Sequence, residues 1–162
     1  MNENTFDLSI QEEPAMTATA VQTVINDDDN RLIVDLTSRA TQYCSMKADT
    51  DQEKALLFNA TNNPDNRVAD FINMEISLKD VFVEAVRCTN RETGEVNICP
   101  RVVLIDSNNV GYTCVSIGIF SALKKLFGIY GEPRAWKAPI KVIIKQITKG
   151  ERQLLTFNVV TA

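Results

Sequence analysis

Hydrophobic and polar positions alternate over much of the second half of the chain. Val81–Thr89 and Val96–Ile105 are rich in β-branched residues and flank a polar segment, Asn90–Glu95, which contains a glycine suited to a left-handed turn position. This pattern predicts a β-hairpin. A turn at Ser107–Asn109 and a strand over Val110–Val115 would extend the hairpin to a three-stranded meander.

The period of the apolar positions changes to about 3.6 residues after this meander, which predicts a helix between Ser116 and Gly131. Ser116 can cap the start of this helix, and Gly128 or Gly131 can end it. The apolar stripe of the helix consists of Phe120, Leu123, Phe127 and Tyr130. Two further alternating segments, Pro139–Thr148 and Gln153–Val160, predict a second hairpin.

The first third of the chain has weaker patterns. Residues 1–30 mix acids with small polar residues and are expected to be partly flexible. Apolar residues at helical spacing predict a short helix over Arg31–Met46, and Ala55–Ala60 is interpreted as a strand. We therefore divide the chain into an N-terminal extension, residues 1–50, and a domain, residues 51–162.

The predicted order of elements in this domain is three strands, one helix and two strands. An all-β barrel with one helix between strands 3 and 4 has the topology of the OB fold, a five-stranded Greek-key barrel. The sequence therefore predicts an OB fold preceded by an N-terminal extension.

Composition excludes most enzymatic functions. The chain of 162 residues has no histidine, so it lacks the commonest general base. It also lacks a phosphate-binding loop, a dinucleotide fingerprint and a nucleophile elbow. Its four cysteines form no C-x-x-C pair, which favours reduced, structural thiols over a metal site. We expect no catalytic residue, no cofactor and no metal.

The start of the chain has neither a basic region nor an apolar core typical of a secretory signal, and no apolar stretch is long enough to span a bilayer. These features predict a cytoplasmic protein that does not contact membranes.

The net charge of −4 is divided unevenly along the chain. Residues 1–65 contain 12 acids and 4 bases, whereas residues 66–162 contain 9 acids and 13 bases. This asymmetry is compatible with ordinary surface charge, and equally with a basic binding domain preceded by an acidic arm.

The candidate binding residues follow from the predicted barrel. OB folds bind oligonucleotides on the face of strands 2 and 3, between the loops that join strands 1 to 2 and strands 4 to 5. Cations follow the phosphates of a single strand and flat rings stack on its bases. The residues that meet these needs on the predicted strands and loops are Arg87, Arg91, Arg101, Tyr112, Lys149 and Arg152.

Several residues leave two interpretations open. Trp136 either contributes to a nucleic-acid surface or plugs the barrel, and Lys124-Lys125 is more typical of a solvated helix face. The acidic extension either shields the DNA-binding groove or links protomers, and we expect the latter.

Short phrases of the sequence also resemble phage-type single-stranded DNA-binding proteins, which occur on phages and conjugative plasmids of Gram-positive bacteria. The similar phrases lie between residues 54 and 160 and include Phe58-Asn59-Ala60, Ser77-Leu78-Lys79-Asp80, Gly111-Tyr112 and Leu155-Thr156-Phe157. The resemblance implies an OB fold that coats transient single strands during replication or conjugative transfer, as a homo-oligomer. The chain departs from cellular single-stranded DNA-binding proteins, because it lacks their acidic C-terminal tail.

A second class of function fits the same residues. A small barrel with a pI near 4.9 could be a protein–protein adaptor or an assembly protein of a phage or mobile element.

Overall fold

The computed structural model describes residues 11–14 and 42–161. The strands in these ranges are β1 (Gln11–Pro14), β2 (Gln42–Cys44), β3 (Asn66–Arg67), β4 (Glu75–Thr89), β5 (Val96–Asp106), β6 (Gly111–Val115), β7 (Ile140–Lys149) and β8 (Arg152–Val159). The α-helices are α1 (Asp51–Asn62) and α2 (Ile117–Tyr130), and short 3-10 turns span Val68–Phe71 and Pro133–Ala135.

All the strands of the described residues belong to one curled, mixed sheet with the order β3-β6-β5-β4-β7-β8. The long strand β4 pairs with β5 along one edge. Its other edge is shared by three strands, because β7 pairs with its start, β2 with Phe82–Glu84 and β1 with Val86 and Arg87. A register shift between Leu78 and Asp80 marks an irregularity of the kind that bends a strand. The result is a mostly β half-barrel, which confirms the coarse fold class expected from the sequence.

Both predicted hairpins and the predicted helix are confirmed. Ser116 accepts a hydrogen bond from the amide of Ile119, and Gly131 ends α2 at a φ of 81° that favours glycine. Gly94 adopts the left-handed conformation expected of it, with a φ of 72°. Trp136 packs edge-on against Phe127 and donates to the Gly131 carbonyl, as the plug interpretation requires.

The main core lies between the inner face of the sheet and α2. Alternate residues of the strands point into it, because successive side chains of a strand face opposite ways. These side chains include Val81, Val83, Ala85, Val102, Leu104, Val142 and Ile144, and α2 contributes Ile119, Phe120, Leu123 and Leu126.

A second apolar cluster covers the outer face of the sheet. Phe82, Val103 and Ile105 meet Ala60 of α1, with Leu56 and Leu57 packed around them. The strand predicted over Ala55–Ala60 is therefore wrong, because this segment is the centre of α1. The sequence Thr50-Asp51-Gln52-Glu53 starts the helix with a capping box, in which Thr50 and Glu53 satisfy each other's backbone amides.

The described parts of the N-terminal extension are built into the sheet. Gln42–Cys44 forms β2 against β4, so the helix predicted over Arg31–Met46 is wrong for these residues, and its first part lies outside the described residues. Tyr43 is buried and donates a 2.6 Å hydrogen bond to Glu132. Burial and this carboxylate acceptor raise the pKa of Tyr43.

Candidate nucleic-acid interface

The outer face of β5 and β6, where the sequence placed its binding platform, is occupied by α1. Arg101 is only 6% exposed and forms a 2.7 Å ion pair with Glu84, its register partner on β4. Its other guanidinium nitrogen donates to the Thr61 carbonyl of α1 at 2.8 Å. In this arrangement Arg101 ties the helix to the sheet, and a phosphate could reach it only if α1 moved.

Close packing at Gly111 shows how tightly α1 is seated. A Cβ atom at this position would lie 2.1 Å from the Ala60 carbonyl oxygen, a distance that side chains do not tolerate. The first residue of β6 therefore has to be glycine for the end of α1 to lie against it.

Tyr112 lies on the opposite, inner face of the sheet and is partly buried. Its ring meets Phe71 edge-on at 4.9 Å between centroids, and its hydroxyl donates to Asp106 at 2.9 Å. Desolvation and this hydrogen bond raise the pKa of Tyr112 to about 12. The ring is thus engaged within the protein.

Arg87 and Arg91 lie at the far end of β4. Arg87 is half-buried, and Arg91 is exposed in the turn that connects β4 to β5. The side chain of Asn90 organises this turn by accepting hydrogen bonds from the amides of Glu92 and Thr93.

Lys149 and Arg152 are brought together as register partners at the tip of the β7–β8 hairpin, and both are exposed. Since Glu75 at the start of β4 pairs with Ile143, β7 continues past that start to reach this tip. The two predicted binding loops, the β4–β5 turn and the β7–β8 turn, therefore lie beyond opposite ends of β4. Of the six predicted binding residues, the structure brings only Lys149 and Arg152 side by side. The hydrogen-bond partners of Arg101 are Glu84 and Thr61, neither of which is in the predicted set.

An open cleft of about 660 Å³ lies between α2 and the β7–β8 hairpin, and we call it the basic cleft. Lys125 projects into it from α2 and Lys149 from β7. The residues that line it are Gly118, Ser121, Ala122, Lys125, Leu126, Ile129, Tyr130, Ile147, Lys149 and the β8 residues 154–159. None of these lining residues is acidic, so the cleft carries only positive formal charge.

The apolar part of the basic cleft is unusually accessible. Ile129 is 79% exposed and Tyr130 is 48% exposed, while Ile147 on the opposite wall is 39% exposed. Large apolar groups that gather at one exposed place commonly mark binding surfaces. A flat ring and two ammonium groups beside an apolar wall can hold a ligand that is both anionic and aromatic.

Sequence reasoning missed Lys125 and Tyr130 as cleft residues. The sequence predicts Lys125 on a solvated helix face and Tyr130 on the apolar stripe of the helix. The available signal was the spacing of Ser121, Lys125 and Ile129 at four-residue intervals, which puts one lysine in line with an exposed isoleucine beside the buried stripe.

Other kinds of site find little support in the described part of the chain. No group of three or more Cys, Asp or Glu side chains there is arranged to hold a metal ion. None of the helices in that part is both long and apolar enough to cross a bilayer. No protein-family model, curated protein sequence or solved structure matches the chain.

Proposed function

We propose that this protein is a sequence-tolerant, single-stranded DNA-binding protein without enzymatic activity, and that the basic cleft holds the strand. One observation carries the proposal: the acid-free cleft combines two lysines with an exposed tyrosine and apolar walls. Lys125 and Lys149 have no ion-pair partner among the described residues, so phosphates can take that place.

The charge distribution around the cleft supports the same proposal. Residues 107–162, which include α2 and the β7–β8 hairpin, contain eight bases and only two acids. Neutralising phosphates releases counterions, and this release supplies most of the affinity of a protein that does not read sequence. The acid-rich start of the chain is therefore no obstacle to local DNA binding.

The exposed ring of Tyr130 supports a single strand over a duplex. Bases are free to stack on Tyr130 only when they are unpaired, and each stack is worth roughly 1–3 kcal/mol. In a duplex the same ring would meet only the edge of a groove.

The order of strands and helix supports an OB-like barrel, with β4, β5, β6, β7 and β8 as its five strands and α2 between the third and fourth. In this proposal the single-stranded DNA lies on the α2 side of the sheet. The binding face usual for OB folds is not available, because α1 occupies the outer face of β5 and β6. The resemblance to phage-type proteins suggests that transient strands are coated during replication or conjugative transfer by a homo-oligomer, whose protomers the N-terminal extension links.

Titration with matched single- and double-stranded oligonucleotides at two salt concentrations tests the proposal. We expect preference for the single strand and steep weakening with salt. The double variant Lys125→Gln/Lys149→Gln should flatten the logarithmic salt slope by about 1.4, or 0.7 for each lost phosphate contact. The variant Lys54→Gln, at an exposed position on α1, is the matched control. Equal affinity for both nucleic acids, or an unchanged slope in the double variant, would remove the proposal.

A protein-binding adaptor is the second candidate. The exposed Ile129 favours it, and so does β8, which pairs only with β7 among the described strands and leaves one edge available. Salt separates the two candidates, because an apolar protein interface lacks the counterion release that makes DNA binding salt-sensitive.

A further inference from the structure

Two thiols lie side by side on the outer face of the β4–β5 hairpin, away from the basic cleft. Cys88 is fully buried and Cys99 is 3% exposed, and both belong to one apolar cluster with Val86. Val86 is the register partner of Cys99, and Cys88 is that of Asn97. The two cysteines are therefore diagonal neighbours on one face of an antiparallel pair and pack in one buried cluster.

The two thiols interact across the strand pair. The Cys88 thiol donates a hydrogen bond to the Cys99 sulfur, which raises the pKa of Cys88 and lowers that of Cys99. Cys99 is also the more exposed of the two, at 3% against 0%, so a small oxidant reaches it first.

A third group on the same face is unsatisfied. The side-chain nitrogen of Asn97, directly across from Cys88, is buried and has no hydrogen-bond partner among the described residues. A buried donor without a partner is rare and calls for an explanation. Beside two sulfurs, such a donor can stabilise negative charge on sulfur or on the oxygen of an oxidised thiol.

We propose that Cys88 and Cys99 are a redox pair, which a hydroperoxide converts to an intramolecular disulfide. The Cys99 thiolate attacks the peroxide oxygen, the O–O bond breaks, and Cys99 becomes a sulfenic acid as water or an alcohol leaves. The Cys88 sulfur then attacks the Cys99 sulfur, and the sulfenic oxygen leaves as water. In total, two thiols are oxidised by two electrons and the peroxide is reduced.

The crosslink would act on the turn that carries Arg91. Cys88 and Cys99 flank the segment from Thr89 to Ile98, so a disulfide closes the base of this turn and fixes β4 against β5. A thioredoxin-type or glutathione-type reductant would reopen it by thiol–disulfide exchange.

Peptide mapping of the full-length protein tests the pair directly. The protein is treated with hydrogen peroxide, quenched in acid, unfolded, alkylated and digested with trypsin. Cleavage after Arg87, Arg91 and Arg101 places the two cysteines on separate peptides, 88–91 and 92–101. We expect these peptides to be recovered joined, with both thiols protected from alkylation, and to separate after reduction.

Cys44 and Cys114 are internal controls, because both are more exposed than the pair and lie on other tryptic peptides. If reactivity followed exposure alone, these two would be lost first. Recovery of Cys88 and Cys99 as alkylated thiols, or linkage of either one to Cys44, Cys114 or a second chain, would overturn the proposal. The variant Cys99→Ser should leave Cys88 unlinked, whereas Cys114→Ser should leave the 88–99 link intact.

Discussion

A buried guanidinium stabilises a protein only while its partners remain in place, and Arg101 is in that position between Glu84 and the Thr61 carbonyl. Replacing Arg101 with Met leaves the largely buried Glu84 carboxylate unpaired. We expect Arg101→Met to lower the free energy of unfolding by about 2–4 kcal/mol, as measured by urea denaturation.

The variant Arg101→Met/Glu84→Leu is the control for this prediction. It removes both charges, so it should recover most of the lost stability. A cost below about 0.5 kcal/mol for Arg101→Met alone would show that the ion pair contributes nothing.

Tyr112 makes stability depend on alkaline pH. Its pKa in the folded protein is about 12, above the ordinary value of 10.0, so the folded state holds the phenolic proton more tightly than the unfolded chain. Its contribution is complete below pH 10 and is lost as the pH rises from 10 to 12. In thermal melts across this range, Tyr112→Phe should flatten the fall in melting temperature. An equally steep fall would assign the effect to other groups, such as Tyr43.

Tyr130 is the residue at which stacking can be separated from folding. Its ring is 48% exposed, so Tyr130→Ala should leave the melting temperature nearly unchanged. The same variant should weaken binding to oligo-dT by about 5- to 100-fold, whereas Tyr130→Phe retains the ring and the affinity. Fluorescence anisotropy measures the affinity of both variants for oligo-dT. Equal losses for the two variants would indicate a role for the hydroxyl group instead.

At the level of elements, α1 depends on its start. Its amphipathic pattern is weak, and Thr50 and Glu53 supply the local signal through their capping box. Thr50→Ala should therefore destabilise the protein by about 1 kcal/mol, and Thr50→Ser by much less, because serine keeps the hydroxyl acceptor. Urea midpoints with an unchanged m-value would measure this difference. A wild-type midpoint for Thr50→Ala would mean that tertiary packing alone holds α1.

The same helix explains why the strand prediction over Ala55–Ala60 failed. A short apolar run has no period that distinguishes strand from helix, and the cap five residues earlier was the better guide. The β-hairpins and α2 were predictable because each extends far enough for its period to be read. The basic cleft was not, since it depends on where α2 and the β7–β8 hairpin lie relative to each other.

Charge acts at the scale of the whole molecule. Residues 1–41 contain eight acids and two bases, so their removal changes the net charge from −4 to +2. We expect a chain lacking residues 1–41 to bind a short single strand more tightly at low salt, because long-range repulsion of phosphate is reduced. If the extension links protomers, cooperativity on long strands should fall at the same time.

Titrations on short and long oligonucleotides, together with light scattering, would measure these two effects. Because this truncation also removes β1 from the edge of β4, a thermal melt has to show that the shortened chain still folds. Lost affinity for the short strand in a folded truncation would place the extension in the binding site.

By itself, the sequence determined the two hairpins, the capped helix α2 and the basic character of the second half, because local period, turn residues and charge depend only on the order of residues. Only the tertiary structure decided which face of the sheet is accessible. Whether Arg101 meets solvent depends on α1, whose Thr61 lies forty residues earlier in the chain. Whether Lys125 and Lys149 face one cleft depends on where α2 lies relative to the β7–β8 hairpin. The exposure of Arg101 and the shared cleft of the two lysines both depend on packing between segments that are distant in sequence, which no local pattern predicts.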